Sequence, residues 1–286
     1  MASGAVSMYR HPHTSLCRDF IDQAVTTWNR IRYGETTGIR IYEDTITDLN
    51  LLELQATHPH EIVTRKSPRW MESKIGADWE WWLHSSGVWI GLRVQAKKID
   101  GRNLRYRWLD SRSRHGRQVD LLIDRSLNNT PPMIPIYILY NYWNLNRFDP
   151  PWLCCNFSKS VEMLGCSISH ALTIKQMLDR QSIALKDIST IMYPWSCLVC
   201  CRRFSSRDLR LPLRTLDFLV EGFKEHISEE DFESLPKRRF LLKEAPSYVY
   251  AIMERMKLRR EEWERIGVNR IVVISEIQKD ESLVKD

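Results

Sequence analysis

Gly76-Ala77-Asp78-Trp79-Glu80-Trp81-Trp82, followed after a short gap by Val94-Gln95-Ala96-Lys97-Lys98, decides the fold. Side chains alternate across an extended strand, so every second residue shares a face. Asp78, Glu80 and Trp82 therefore fall on one face of a first strand, and Gln95 and Lys97 on one face of a second. Ser85-Ser86-Gly87 between them supplies the residues of a hairpin turn. Pairing the strands brings two carboxylates, a carboxamide and an ammonium to one end of a sheet. Such a set suits a hard divalent cation and an attacked phosphodiester.

Upstream, Leu16 to Ile31 reads as a helix, with Phe20, Ala24, Trp28 and Ile31 forming one apolar stripe. Tyr33 to Arg40 reads as a connector, punctuated by Gly34 and Gly38. A second helix is expected from about Asp44 or Thr45, with Thr45 and Asp48 as a capping-box variant and Ile46, Leu49, Leu52 and Ala56 as its buried side. His60 to Thr64 is a short strand candidate. Downstream of the hairpin, Gly116 to Leu127 reads as a helix through Val119, Leu122, Ile123 and Leu127. Ile134 to Tyr142 is a nearly continuous apolar run, as in a strand buried on both faces. The order helix, three strands, helix, strand predicts an α/β layer. Asn144 to Pro151 breaks regular structure and suggests a boundary near residue 150. Beyond it, helices are predicted over 160–179, 213–226, 229–235 and 246–260, with a strand at Arg270 to Ser275 and a frayed end from Lys279.

The chain has 286 residues, 43% of them apolar, which supports a sizeable core and excludes global disorder. A net charge of +6 is mildly basic and compatible with nucleic acid. No apolar run reaches the roughly 18 residues of a membrane span. Met1 to His13 lacks the apolar core of a signal peptide. These features predict a soluble, intracellular protein without a membrane partner. Seven cysteines in a chain of this length read as free thiols rather than a disulfide framework.

Gly76-x-Asp78 followed by a strand with Gln95-x-Lys97 resembles the PD-(D/E)XK nuclease superfamily, and is most similar to its Mrr-like branch, where glutamine replaces the usual acid before x-Lys. The longer string, from Glu43-Asp44-Thr45-Ile46-Thr47-Asp48 through these strands, also resembles an uncharacterised microbial family related to those nucleases. The nuclease resemblance covers roughly the first half of the chain. It implies a restriction-endonuclease-like core over residues 1–150, followed by a mainly helical accessory region over 151–286. It implies a metal-dependent nuclease, a hydrolase of phosphodiester bonds with DNA the expected substrate; the sequence leaves DNA against RNA and endonuclease against exonuclease action open. The cofactor would be Mg2+, with Mn2+ able to replace it. By the same resemblance Asp78 is the metal ligand, and Lys97 holds the attacking water or stabilises transition-state charge. Gln95 binds metal or orients water without adding charge, and Glu43 matches an auxiliary acid. Glu80 and Glu72 are further acidic candidates. Gln118, at the start of the following helix, is implied as a support to the site or a contact to a nucleic-acid strand; a surface polar residue is the plain alternative.

Arg105, Arg107, Arg112, Arg114 and Arg117 form a basic run after Lys97 that could contact phosphates without reading bases; a solvated arginine-rich loop is the plain alternative. Arg202, Arg203, Arg207, Arg210 and Arg214 make a second basic stretch. Cys154-Cys155 and Cys197-x-x-Cys200-Cys201 have spacings that raise zinc. Their apolar neighbours Trp152, Leu153, Trp195, Leu198 and Val199 favour packed core instead. His58 and His60 read as turn residues, and Trp79, Trp81 and Trp82 as sheet packing. An Asp-x-Glu pair on a strand is commonly a solvated sheet face. Two further readings therefore stand beside the nuclease: a catalytically degenerate nucleic-acid-binding module on the same fold, and a protein-interaction scaffold. The sequence leaves oligomeric state open, a homo-oligomer included.

Overall fold

Alternation along Trp79–Ser85 and Val88–Lys98 divides the side chains into two apolar sets, and each set carries its own helical layer. In a computed structural model, which describes residues 15–68, 75–154, 159–201, 210–233 and 235–276, these two stretches are strands β2 and β3 of a seven-stranded mixed sheet. The other strands of that sheet are β1 (Ile62–Lys66), β6 (Ile134–Tyr140), β7 (Cys166–His170), β8 (Tyr193–Pro194) and β9 (Arg270–Ser275). A separate two-residue ribbon, β4 (Arg112–Ser113) with β5 (Gly116–Arg117), lies between β3 and β6 in the chain. The spatial order is β1-β9-β2-β3-β6-β7-β8. β2 and β3 pair antiparallel, as the Ser85-Ser86-Gly87 turn requires, and β3 and β6 pair parallel.

One face of the sheet carries Trp79, Trp81, Leu92, Val94, Ile136 and Val272, packed against Phe20 and Ala24 of α1 (Ser15–Thr37) and Ile46, Leu51 and Leu54 of α2 (Glu43–Thr57). The other carries Trp82, Tyr137, Leu139, Ile271 and Val273, covered by Val119 and Leu122 of α3 (Gln118–Leu127) and Ile174 and Leu178 of α4 (Ala171–Asp179). Burial on both faces explains why β6 reads as an unbroken apolar run. Later in the chain, α5 (Leu211–Glu221) sits on the first face, while α6 (Ser247–Met253) and α7 (Arg260–Ile266) belong to the second. Shorter helical turns connect them. No helix among the described residues is long and apolar enough to cross a membrane.

Several expectations are corrected. α1 runs on to Thr37, through part of the expected connector. α2 starts at Glu43, and no side chain caps it; Asp48 is held instead by Arg270 at 2.6 Å and by Lys66. Its buried side is Ile46, Thr47, Asn50, Leu51 and Leu54, whereas Leu52 and Ala56 are exposed. Two polar residues fit that face because each finds a partner: Thr47 bonds Tyr140 Oη at 2.8 Å, and Asn50 accepts from Thr27 at 3.0 Å. The helix expected over 160–179 is a 3-10 turn, then β7, then α4. The region after residue 150 is therefore partly rather than mainly helical. It adds β7 and β8 to one side of the sheet and threads β9 between β1 and β2, so the expected boundary runs through a shared sheet. Cys17 and Cys200, expected as free thiols, form a disulfide, while Cys154, Cys166, Cys197 and Cys201 are buried and not part of a disulfide. Cys155, Glu72, Arg202, Arg203, Arg207, Met1 to His13 and Lys279 to Asp286 lie outside the described residues.

Candidate functional site

Register places the chemistry. Glu80 faces Arg93 across the hairpin, and Gln95 and Lys97 stand beside Tyr137 and Leu139 of β6. Asp78 lies one residue before β2, and its N–H donates to the Val94 carbonyl at 2.7 Å, which extends the ladder to it. Gly76 controls how this corner meets α3. Its φ is +73°, and a Cβ there would come within 2.4 Å of the Gln118 carbonyl oxygen and 2.8 Å of the Leu122 nitrogen. Only glycine lets the approach to β2 lie against the first turns of α3.

Asp78 is half-buried, and its Oδ2 accepts from Gln95 Nε2 at 2.5 Å and from the Ala96 N–H at 2.8 Å. Enclosure by protein pushes its pKa up to about 6, against the pull of the Ala96 N–H and the Lys97 charge; Glu43 and Asp44 push the same way as burial. Glu43 opens α2, and its Oε1 accepts the Lys98 N–H at 2.7 Å. Burial raises its pKa too, opposed first by Lys97. The ammonium of Lys97, a residue only 6% exposed, thus lies in the field of both carboxylates. Asp44 bonds Arg270 at 3.0 Å, which ties this end of α2 to β9.

Three buried polar atoms here lack a hydrogen-bond partner: Gln95 Oε1, Gln118 Oε1 and the Tyr137 hydroxyl. Each such atom costs on the order of 1–3 kcal/mol. Tyr137 stands next to Gln95 in register, and burial followed by the Asp78 charge drives its hydroxyl pKa upward. Sequence reasoning missed Tyr137 and Asp44. The first is hidden as one polar tip in an apolar run, and the second next to Glu43 in the chain.

The donors gathered here are oxygens: the carboxylates of Asp78 and Glu43, and the orphaned carbonyl of Gln95. Oxygen donors of this kind fit a hard cation that keeps part of its water shell, and Mg2+ is the type. Among the described residues no group of three or more His, Cys, Asp and Glu side chains is arranged to hold a metal.

Other expected site residues are placed differently. Glu80 lies on the same strand face as Asp78, but its carboxylate is fully buried and occupied. Oε1 accepts from Arg93 Nε at 3.2 Å; Oε2 accepts from Trp82 Nε1 at 3.1 Å and from the Tyr248 hydroxyl at 2.7 Å. Glu80 is thus a core ion-pair residue, which corrects its expected role as a metal ligand. Trp82 is buried with it. Arg117 is held by Asp110 at 2.5 Å and Asp179 at 2.6 Å, so it is committed within the fold and not free for phosphate. Arg105, Arg107 and Arg114 are exposed; Arg107 pairs with Asp100 at 2.7 Å, and Arg114 contacts His115 at 3.1 Å. His58, expected in a turn, is buried between Asp19 at 2.6 Å and Glu61 at 2.7 Å. Arg214 is also buried, and pairs with Glu276 at 2.7 Å.

Residues 16–280 match a family profile. The chain belongs to a family of unknown function, DUF6615. The DUF6615 match takes in Glu43, Asp78, Gln95, Lys97 and also β9. No curated protein and no solved structure matches the chain.

Proposed function

We propose that this DUF6615 chain is a metal-dependent nuclease with a restriction-endonuclease-like, PD-(D/E)XK core of the Gln-x-Lys type, hydrolysing phosphodiester bonds in DNA. The observation that carries the reading is the convergence of Asp78, Gln95 and Lys97 on one face of the β2–β3 hairpin, with Glu43 delivered to the same end by α2. Asp78, Glu43 and the Gln95 carbonyl would hold Mg2+, which supplies charge neutralisation at the phosphoryl oxygens and activation of water. Lys97 faces the developing negative charge, and its ammonium lies in the field of the two carboxylates. Gln95 keeps Asp78 oriented through its amide N–H.

The test is cleavage of plasmid and linear DNA by wild-type protein and Lys97→Ala, with and without Mg2+ or Mn2+. Metal-dependent cutting that disappears in the variant supports the reading. Because Lys97 is buried, circular dichroism of the variant must match wild type, and Lys97→Met provides a second, volume-keeping replacement. Equal cutting by wild type and a folded variant rejects the assignment.

A second reading has one observation in its favour. Gln95 replaces an acid, and the described residues hold no three-acid group. A catalytically silent nucleic-acid-binding module would bind DNA in a salt-dependent way with or without metal. Binding without cutting, in both metals, selects it.

A further inference from the structure

A cleft of about 830 Å3 opens beside the catalytic cluster. One wall is the connection from α1 to α2, with Ile39, Arg40 and Tyr42; the other is the segment after β3, with Arg102, Arg107 and Trp108. Glu43, Asp44 and Lys98 also line it, so the cleft reaches the residues that flank Lys97. Its walls carry large apolar groups that the fold leaves in water. Trp108 is 65% exposed and Tyr42 61% exposed. Trp108 is the one exposed tryptophan among the described residues, although the β2–β3 region alone buries Trp79, Trp81, Trp82 and Trp89. Leaving a tryptophan in water forgoes one of the largest burial gains available to a side chain. The Arg40 guanidinium lies 5.1 Å from the centre of the Tyr42 ring, joining a cation to an aromatic face on the same wall.

We infer that this cleft binds a single strand of nucleic acid and leads it to the catalytic cluster. The inference deepens the nuclease reading and rests on it for the chemistry at the inner end. Unpaired bases stack on Trp108 and Tyr42, and the backbone phosphates meet Arg40 and Arg102, with Arg107 joining them by exchanging its exposed pair with Asp100. A double helix has its base faces stacked internally, so it offers nothing to two exposed rings; an unpaired strand offers a face at each nucleotide. Acids line the cleft as well, Glu43 and Asp44 at the catalytic end, Glu35 on the α1 wall and Asp100 beside Arg102 and Arg107, while the guanidinium groups come from the two loops that form its walls. Aromatic rings alternating with arginines form the surface that tracks a single strand without reading its sequence.

The test uses the full chain in EDTA, so that no cutting is required. Fluorescence anisotropy measures binding of a short labelled oligothymidylate, an oligouridylate of the same length and a blunt duplex of the same length. The oligothymidylate or the oligouridylate should bind more tightly than the duplex. Trp108→Ala and Tyr42→Ala should each weaken single-strand binding about tenfold while leaving duplex binding unchanged. Both side chains are exposed, so melting temperatures should stay at the wild-type value. Duplex binding as tight as single-strand binding overturns the inference, as does unchanged single-strand affinity in Trp108→Ala. The failure of the nuclease reading looks different. Stacking-dependent binding without metal-dependent cutting upholds the cleft and rejects the nuclease. Cutting of duplex that Trp108→Ala leaves untouched, with no preference for single strands, rejects the cleft alone.

Discussion

Glu80 and Asp78 stand two residues apart on one face of the same sheet, and the protein treats them in opposite ways. Glu80 is fully buried, and its two oxygens accept from Arg93, Trp82 and Tyr248. Arg93 is satisfied in turn, donating to the Arg125 carbonyl and to Asn129 Oδ1 at 3.1 Å. Asp78 keeps some surface, holds two N–H donors on one oxygen, and has the unpartnered Gln95, Gln118 and Tyr137 atoms in its neighbourhood. A closed buried network specifies structure. An enclosed carboxylate with a raised pKa beside orphaned acceptors is a pattern common at functional sites, and on the proposed reading it exchanges these protein partners for substrate and metal. Sequence spacing alone cannot tell the two apart, since Asp-x-Glu on a strand presents both to one side.

The sharpest way to break the comparison is to remove each acid. Glu80→Ala leaves Arg93 charged and buried without its carboxylate, and should cost about 3–5 kcal/mol of unfolding free energy in urea denaturation. A loss below about 1 kcal/mol would show that the Glu80 network is not structural. Lys97→Ala should lower the rate of metal-dependent cleavage by on the order of 10²–10³ with near-wild-type secondary structure.

Asp78→Asn sharpens the contrast through pH. A carboxylate whose folded pKa is raised, here from 3.8 to about 6, favours folding below its unfolded pKa. That contribution is lost as pH rises through the folded value. Ionised Asp78 therefore destabilises the protein above about pH 6. Asp78→Asn should gain about 1–2 kcal/mol over wild type at alkaline pH, with the partial exposure of Asp78 reducing the full linkage value. The gain should vanish below the unfolded carboxylate pKa of 3.8. Chemical denaturation at the two pH values measures it, and a gain of the same size at both would separate it from the titration of Asp78. The smallest effect belongs to Tyr137→Phe. Deleting an unpartnered buried hydroxyl should leave stability unchanged or raise it by up to about 1 kcal/mol. Cleavage should fall if that hydroxyl meets the substrate. A clear loss of stability would show that the hydroxyl has a partner in solution.

The parts of the fold carried by local pattern were legible. The hairpin, its turn and the facing of Gln95 with Lys97 follow from a period of two, and β6 follows from its apolar run. What was not legible depends on distant partners. The capping box read at Thr45 and Asp48 gives way because Arg270, 222 residues away, takes the Asp48 carboxylate. The buried face of α2 was misread because Thr47 and Asn50 are interior only by virtue of Tyr140 and Thr27. β7 was absorbed into a helix because a five-residue run buried on both sides carries no period of its own. Nothing local announces that Arg270–Ser275 enters the sheet between β1 and β2, or that Cys17 pairs with Cys200 across 183 residues. At the candidate site, the facing of Asp78 with Gln95 and Lys97 follows from strand alternation, and Glu43 comes only from the family resemblance. Separating Glu80 from them needed Tyr248, which lies 168 residues further along.

The most direct test is Mn2+ binding, followed by electron paramagnetic resonance, to wild type, Asp78→Asn and Glu80→Gln. Wild type and Glu80→Gln should both take up the ion, and Asp78→Asn should lose it. Undiminished binding in Asp78→Asn, or loss confined to a folded Glu80→Gln, would contradict the assignment of Asp78 to the site and Glu80 to the core.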